Sequence, residues 1–486
     1  MRCLRGLHLL VALGFSFLNL PIAYAENAAT PLPEAVTSAL KSADVSTNNV
    51  AIYVQALAAN PSQLDAPLLA HLTSQPLNPA SNMKLLTSYA ALALLGPDYR
   101  WQTNVYYDGE LKGDTLIGNL YIKGVGDPNI TLADFNALLS RVYQSGLHTI
   151  TGDIVIDNTD FASTATNAAS FDGEPLRAYN ATASAFVVNG KVSAFKFDTD
   201  DKTVTVSVEP ALPTVKLDVN LTTNLTVVQG DCNAWRNQLR YAVTQQNGEA
   251  LVRYSGTIPK NCSDKYLELL AIDENQYHVA LFASQWRALG GTFNGKLRTA
   301  SLPLNAVFIA EHTSRSLAEI LTPMNKWSNN LMARQLLLTI AAQKVIKPAT
   351  EEKAGIVVQE WFASLGLPAE GLVLENGAGL SRIERISAAQ LGGMLVNAYY
   401  SPTMPEIMAS LPIVAIDGTM RNRLKNTLMQ GRGHFKTGSI NGVFSLAGYL
   451  LCQNGQRYVV VFMANDPNAF LTKPAQDALL EWVYLH

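Results

Sequence analysis

Basic charge is in short supply in this sequence: 36 Lys and Arg stand against 39 Asp and Glu, a formal net charge of -3. Without a positive field to neutralise phosphates, nucleic acid is excluded as an electrostatically driven partner. Long apolar runs are also missing beyond the N-terminus, where none approaches the ~20 residues of a membrane span. A Gly-x-Ser-x-Gly elbow is absent, which argues against an α/β-hydrolase. His-Glu-x-x-His is absent too, and the histidines at 8, 71, 148, 278, 312, 434 and 486 are scattered, which disfavours a zinc peptidase. His434 is expected to be structural, and neither a metal nor a cofactor is expected. Cysteine is scarce, with only Cys3, Cys232, Cys262 and Cys452.

What is present at the N-terminus reads as an export signal spanning residues 1–25. Arg2 and Arg5 precede an apolar run from Leu7 to Leu20, and Ala23-Tyr24-Ala25 is a small-x-small cleavage site before Glu26. Removing it takes Cys3, His8 and the two arginines, leaving a net charge of -5. The mature chain is expected to be exported and to carry no transmembrane segment. In an oxidising compartment Cys232 and Cys262, which share one polar, turn-rich region, are expected to form a disulfide. Cys452 follows a strand-like run and is expected to stay unpaired.

At 486 residues and 48% hydrophobic, the chain is long enough for two or three domains. Its centre of gravity is Asn78-Pro79-Ala80-Ser81-Asn82-Met83-Lys84. Apolar residues at 85, 86, 89, 92 and 95 recur at helical spacing, predicting a buried helix with Ser81 in its first turn. Lys84 then lies on the same face, three residues on. A serine hydroxyl needs a base within hydrogen-bond reach, and an amine can serve if burial and nearby cations disfavour its charged form. By itself Ser-x-x-Lys also fits an ordinary helix start with a surface lysine. Two later stretches change that: Ser328-Asn329-Asn330 and Lys436-Thr437-Gly438 complete an ordered set of Ser-x-x-Lys, Ser-x-Asn and Lys-Thr-Gly.

In chain order, a helix from Pro33-Glu34 to about Leu40 and a strand from Val50 to Leu57 precede the Ser81 helix. Residues 26–100 are too few for a domain and should close against later sequence. From Trp101 short strands and turns take over: 105–107, 115–117, 120–123, a helix from Leu132 to Gly146, and strands at Thr149 to Ile156, Val204 to Val208 and Lys216 to Leu221. Gly124-Val125-Gly126-Asp127-Pro128 lacks the third glycine, helix and acid of a dinucleotide loop and reads as a tight turn. After a helix from Gln276 to Leu289, a strand resumes at Val307. Helices follow at Ser316 to Leu321, stopped by Pro323, at Asn329 to Ala342 with Ser328 placed to cap it, at Glu351 to Leu365 and at Ala388 to Tyr399. Strands around Lys436, Val443 to Leu451 and Tyr458 to Met463, with an Asn454-Gly455 hairpin turn, lead to a final helix from Ala475 to Leu485.

These motifs, together with Gly124-Val125-Gly126-Asp127-Pro128, Gly377-Ala378-Gly379-Leu380-Ser381 and Asp417-Gly418-Thr419, resemble the class C low-molecular-mass penicillin-binding proteins, D-alanyl-D-alanine carboxypeptidases/endopeptidases. The resemblance runs nearly end to end in the mature chain. It implies an α/β (α+β) fold: a β-lactamase/transpeptidase-like domain with an antiparallel sheet flanked by helices, in parts 26–100 and 306–486, interrupted by a mixed α/β insertion at 101–305. It implies Ser81 as nucleophile, Lys84 as base, Ser328 as proton relay, Asn330 on the substrate amide, and Lys436 as the cation facing the site. Thr437, Gly438 and Ser439 would bind substrate, with the N–H groups of Ser81 and Ser439 as oxyanion hole. The implied partners are peptidoglycan peptide stems in the periplasm, β-lactams as covalent inhibitors, and other cell-wall enzymes.

Two stretches depart from the family pattern. Phe171 to Tyr179 has no tryptophan, so recognition of the third peptide residue is expected to differ. Glu375-Asn376-Gly377-Ala378-Gly379 replaces the usual Asp-Gly-Ser-Gly. The rival reading from another class is a wall-binding scaffold with the same fold and negligible turnover. A β-lactamase is disfavoured, because no residue can be assigned as a dedicated deacylation base.

Overall fold

The structure is a computed structural model that describes residues 31–162, 168–218 and 225–486. The expected signal at 1–25 lies outside these residues, as does the end of the strand expected at Lys216 to Leu221, of which Val215–Leu217 is described.

The sheet that carries Lys436 has five strands in the order Gly433–Ile440, Val443–Leu451, Arg457–Asn465, Val50–Leu57, Leu69–His71, all antiparallel. Early and late sequence thus meet at its centre, where Val50–Leu57 pairs with Arg457–Asn465 along its whole length. Both faces of these strands are apolar because both are covered. Val50, Ile52, Val54, Val460 and Phe462 face the helices Glu34–Ser42 and Lys473–Leu485. Ala51, Tyr53, Val459 and Val461 face a larger core built by Met83–Leu95, Asn330–Lys344 and Ala388–Tyr400. The side-chain period of two along a strand sorts alternate residues into the two cores, and the Ser81 helix lies in the second.

The inserted stretch has its own core and its own sheets. One sheet runs Leu297–Thr299, Ile154–Asp157, Leu120–Lys123, Gln102–Tyr107, Val307–Thr313. The strand after the expected boundary at 305 therefore pairs with the first strand of the insertion. Entry and exit run side by side: Trp101 N donates to Ser314 Oγ and Ser314 N to Trp101 O, both at 2.9 Å. Cys232 and Cys262 are bonded and Cys452 is a buried free thiol, as expected.

Three expectations need correction. Thr149 to Ile156 is two strands, Thr149–Ile150 and Ile154–Asp157, in different sheets. Gly152 makes the break, where a Cβ would meet the Gly118 carbonyl at 2.2 Å. Pro323 does not stop its helix, which runs Leu317–Lys326. Buried Leu317, Ile320, Leu321 and Met324 hold it against the core, and packing outweighs the lost backbone bond. Finally, the α-helix begins at Met83, and Ser81 belongs to a separate 3₁₀ turn, Ala80–Asn82.

Candidate active site

The Ser81 turn is held from several directions. Asn78 Oδ1 accepts from Ala80 N at 2.9 Å, and Asn78 exchanges two hydrogen bonds with Asn465 on the central sheet. Ser445 Oγ donates to Pro79 O at 2.6 Å. Ala80 adopts φ +45°, a left-handed conformation that costs an alanine about 1 kcal/mol or more and survives because its surroundings dictate it. The turn presses against the Lys436 strand so closely that a Cβ on Gly438 would lie 2.6 Å from Pro79 O and 3.0 Å from Ser81 N.

Lys84 is fully buried, with Nζ 3.1 Å from Ser81 Oγ. The amine also donates to Asn330 Oδ1 at 2.7 Å and to Ala378 O. Burial, then the positive charges of Lys436 and Arg334, hold it well below the usual lysine range, against an opposing pull from Glu384. A neutral amine has two N–H groups and one lone pair. Two carbonyl acceptors take the two N–H groups, and the lone pair is left for the Ser81 hydroxyl.

The middle motif divides its work differently from what a simple cap would do. Asn329, not Ser328, caps the helix Asn330–Lys344, its Oδ1 accepting from Met332 N at 3.0 Å. Ser328 has φ +59°, and its hydroxyl accepts from Lys436 Nζ at 2.8 Å. Asn330 Nδ2 donates to the backbone carbonyl of Tyr179 at 3.1 Å. Because a carbonyl accepts only, that contact fixes the amide with its oxygen towards Lys84. The same helix is gripped twice more by the inserted stretch, through Arg334 on Ala181 O and Gln335 on Ser184.

Lys436 is fully buried, and burial pushes its pKa down to about 7. It sits on Gly433–Ile440, an edge strand of the five-stranded sheet, with Thr437 part-exposed and Ser439 exposed. Thr437 Oγ1 shares a 2.8 Å hydrogen bond with Thr419 Oγ1, on the segment that Asp417 ties to Lys326 at 2.6 Å. His434 contacts Met408 O at 3.1 Å from the same strand.

Of the residues named from sequence, Ser81, Lys84 and Asn330 form one chain of contacts and Lys436 and Ser328 a second, while Gly438 packs against the Ser81 turn from the strand that also carries Thr437 and Ser439. The carbonyls of Tyr179 and Ala378 belong to the same arrangement and had no sequence signal, since every residue type offers a carbonyl. Glu384, buried behind the glycine loop, stands in none of the motifs read from the sequence.

Comparison with known proteins finds relatives over most of the chain. The profile of the D-Ala-D-Ala carboxypeptidase 3 (S13) family matches residues 32–484. A D-alanyl-D-alanine carboxypeptidase from an Actinomadura species is 31% identical over 403 residues, covering 79% of this chain and 72% of that protein. D-alanyl-D-alanine carboxypeptidase DacB of Haemophilus influenzae is 24% identical over 398 residues, covering 79% and 80%. Among solved structures, penicillin binding protein 4 of Haemophilus influenzae superposes with a TM-score of 0.73 at 22% identity, over 93% of this chain and 99% of that one. The shared fold is β-lactamase/transpeptidase-like, as the motifs implied.

Proposed function

The chain belongs to the D-Ala-D-Ala carboxypeptidase 3 (S13) family, and on that premise we propose that it is an exported, penicillin-sensitive serine peptidase working through an acyl-enzyme on Ser81. The observation that carries the mechanism is the Lys84 amine, whose N–H groups are both engaged by carbonyls while Ser81 Oγ lies 3.1 Å away.

Ser81 Oγ attacks the carbonyl of a D-Ala-D-Ala bond, forming the O–C bond as its proton passes to Lys84. Collapse breaks the C–N bond, and the proton reaches the leaving amine through Ser328, which Lys436 holds at 2.8 Å. Water then cleaves the ester. Pro412 and Val414 bond to Phe435 and Gly433 on the outer edge of Gly433–Ile440, and the edge beyond them, from Lys436 to Ile440, gives an extended peptide a strand to lie along. Asn330 keeps a second Nδ2 hydrogen for the substrate amide, and the Thr437 hydroxyl, which donates to Thr419 Oγ1 in the free site, turns to donate to the terminal carboxylate. The N–H groups of Ser81 and Ser439 serve the oxyanion, each donor contributing roughly 3 kcal/mol in comparable sites. The substrates are peptidoglycan stems, with cross-link cleavage as a second activity in the periplasm.

The test is labelling of the mature protein with a fluorescent penicillin, followed by mass spectrometry. An adduct on Ser81 that vanishes in Ser81→Ala supports the reading, and muropeptide digestion then separates trimming from cross-link cleavage. No adduct in folded wild type overturns it in favour of a wall-binding scaffold.

A further inference from the structure

Glu384 is a fully buried carboxylate that the mechanism above leaves without a task. One of its oxygens, Oε1, accepts from three successive backbone N–H groups, those of Glu375 at 3.1 Å, Asn376 at 2.9 Å and Gly377 at 2.9 Å. Convergent N–H groups of this kind form an anion-binding concavity, and here the anion comes from the chain itself. Its own N–H is held by Ser381 Oγ at 3.0 Å, so the side chain is anchored to the far end of the loop it organises.

The next residue of that loop supplies the carbonyl that grips Lys84. Ala378 N donates to Asn376 Oδ1 at 2.9 Å, and Thr87 on the helix Met83–Leu95 donates to Gly377 O at 2.7 Å. Neither Asn376 nor Ala378 brings a charge, so the negative charge in this loop's interior comes from Glu384. Around it stand Arg334 on Asn330–Lys344, Glu351 on Glu351–Ser364, Glu375 on the loop and Lys84 on Met83–Leu95, with Lys436 beyond Lys84; burial and the Glu375 charge push the Glu384 carboxyl above its usual range, and the three N–H contacts act to hold it ionised.

We propose that Glu384 is a positioning residue for the Ser81 reaction: it shapes the loop that presents the Ala378 carbonyl to Lys84, and it sets a buried negative charge close to that amine. The inference rests on the reading of Lys84 as base. Its two contributions are separable. The three N–H contacts need an oxygen acceptor, whereas the effect on Lys84 needs the charge, which favours the ammonium form and opposes Lys436 and Arg334.

The experiment measures the second-order rate of acylation by a fluorescent penicillin between about pH 5 and 10, for wild type, Glu384→Gln and Glu384→Ala, with melting temperatures alongside. Glutamine keeps an acceptor and removes the charge, so the acid limb should move to lower pH by roughly half a unit or more. Alanine removes the acceptor as well, and acylation at neutral pH should fall about tenfold or more. If alanine does not fold, the glutamine variant decides alone. A glutamine profile superimposable on wild type overturns the proposal. Failure of the base reading looks different, because wild type then shows no acylation, or none that responds to Lys84→Met.

Discussion

Asn330 donates its side-chain N–H to the backbone carbonyl of Tyr179 at 3.1 Å, across a sequence separation of 151 residues. That bond forces Asn330 Oδ1 towards Lys84, at 2.7 Å. A residue of the insertion thereby decides which hydrogen-bonding pattern the amine in the Ser81 site adopts.

Replacing Asn330 by aspartate should reverse this pattern. The carboxylate cannot donate to Tyr179, and its charge beside Lys84 favours the ammonium form. Acylation at neutral pH should fall about 100-fold and recover in part at alkaline pH, where Lys84 again loses its proton. Stopped-flow acylation across pH checks this, and a wild-type rate at neutral pH would sink it.

Lys436 is held at about 7 against an ordinary value of 10.5. Below 10.5 the unfolded chain takes up a proton that the folded chain refuses until about 7, so this residue destabilises the fold increasingly as pH falls through that window, and the penalty is then constant. An upper limit of about 5 kcal/mol follows from a displacement of that size. Lys436→Met should therefore raise stability by about 1–4 kcal/mol at neutral pH, with the gain vanishing above pH 10.5, while abolishing rapid acylation. Denaturant melts at several pH values measure it. A methionine variant less stable than wild type at neutral pH would count against a buried, strained cation here.

Gly438→Ala tests the contact between strand and nucleophile. The added methyl would lie 2.6 Å from Pro79 O, a backbone atom that cannot swing aside. Acylation should fall by about 100-fold, because the Ser81 turn must shift away from the strand. Unaltered acylation kinetics would show that the turn tolerates displacement.

Much of this arrangement was legible because its chemistry needs particular side chains. Ser81, Lys84, Ser328, Asn330 and Lys436 announce themselves by type, spacing and order, and Val50–Leu57 by an apolar run that only Gln55 interrupts. The hidden parts are those where side-chain identity carries no information. Tyr179 and Ala378 act through carbonyls, and Ser328 acts through a left-handed backbone that a serine disguises as a cap. Pro323 misled because packing outweighed its local preference. Glu384 stands in no motif, and the N–H groups it gathers belong to a loop that bends back over it.

The side-by-side entry and exit at Trp101 and Ser314 make the insertion an easily excised cassette in covalent terms. A short linker across those two residues would close the gap and leave the five-stranded sheet uncut. On the proposed mechanism the cassette is not optional to the chemistry, for excision would take the Tyr179 carbonyl with it and free the Asn330 amide to turn over. A minimal version of this peptidase would therefore have to replace one hydrogen-bond acceptor, and a lineage that lost the insertion would be expected to hold that asparagine by some other means.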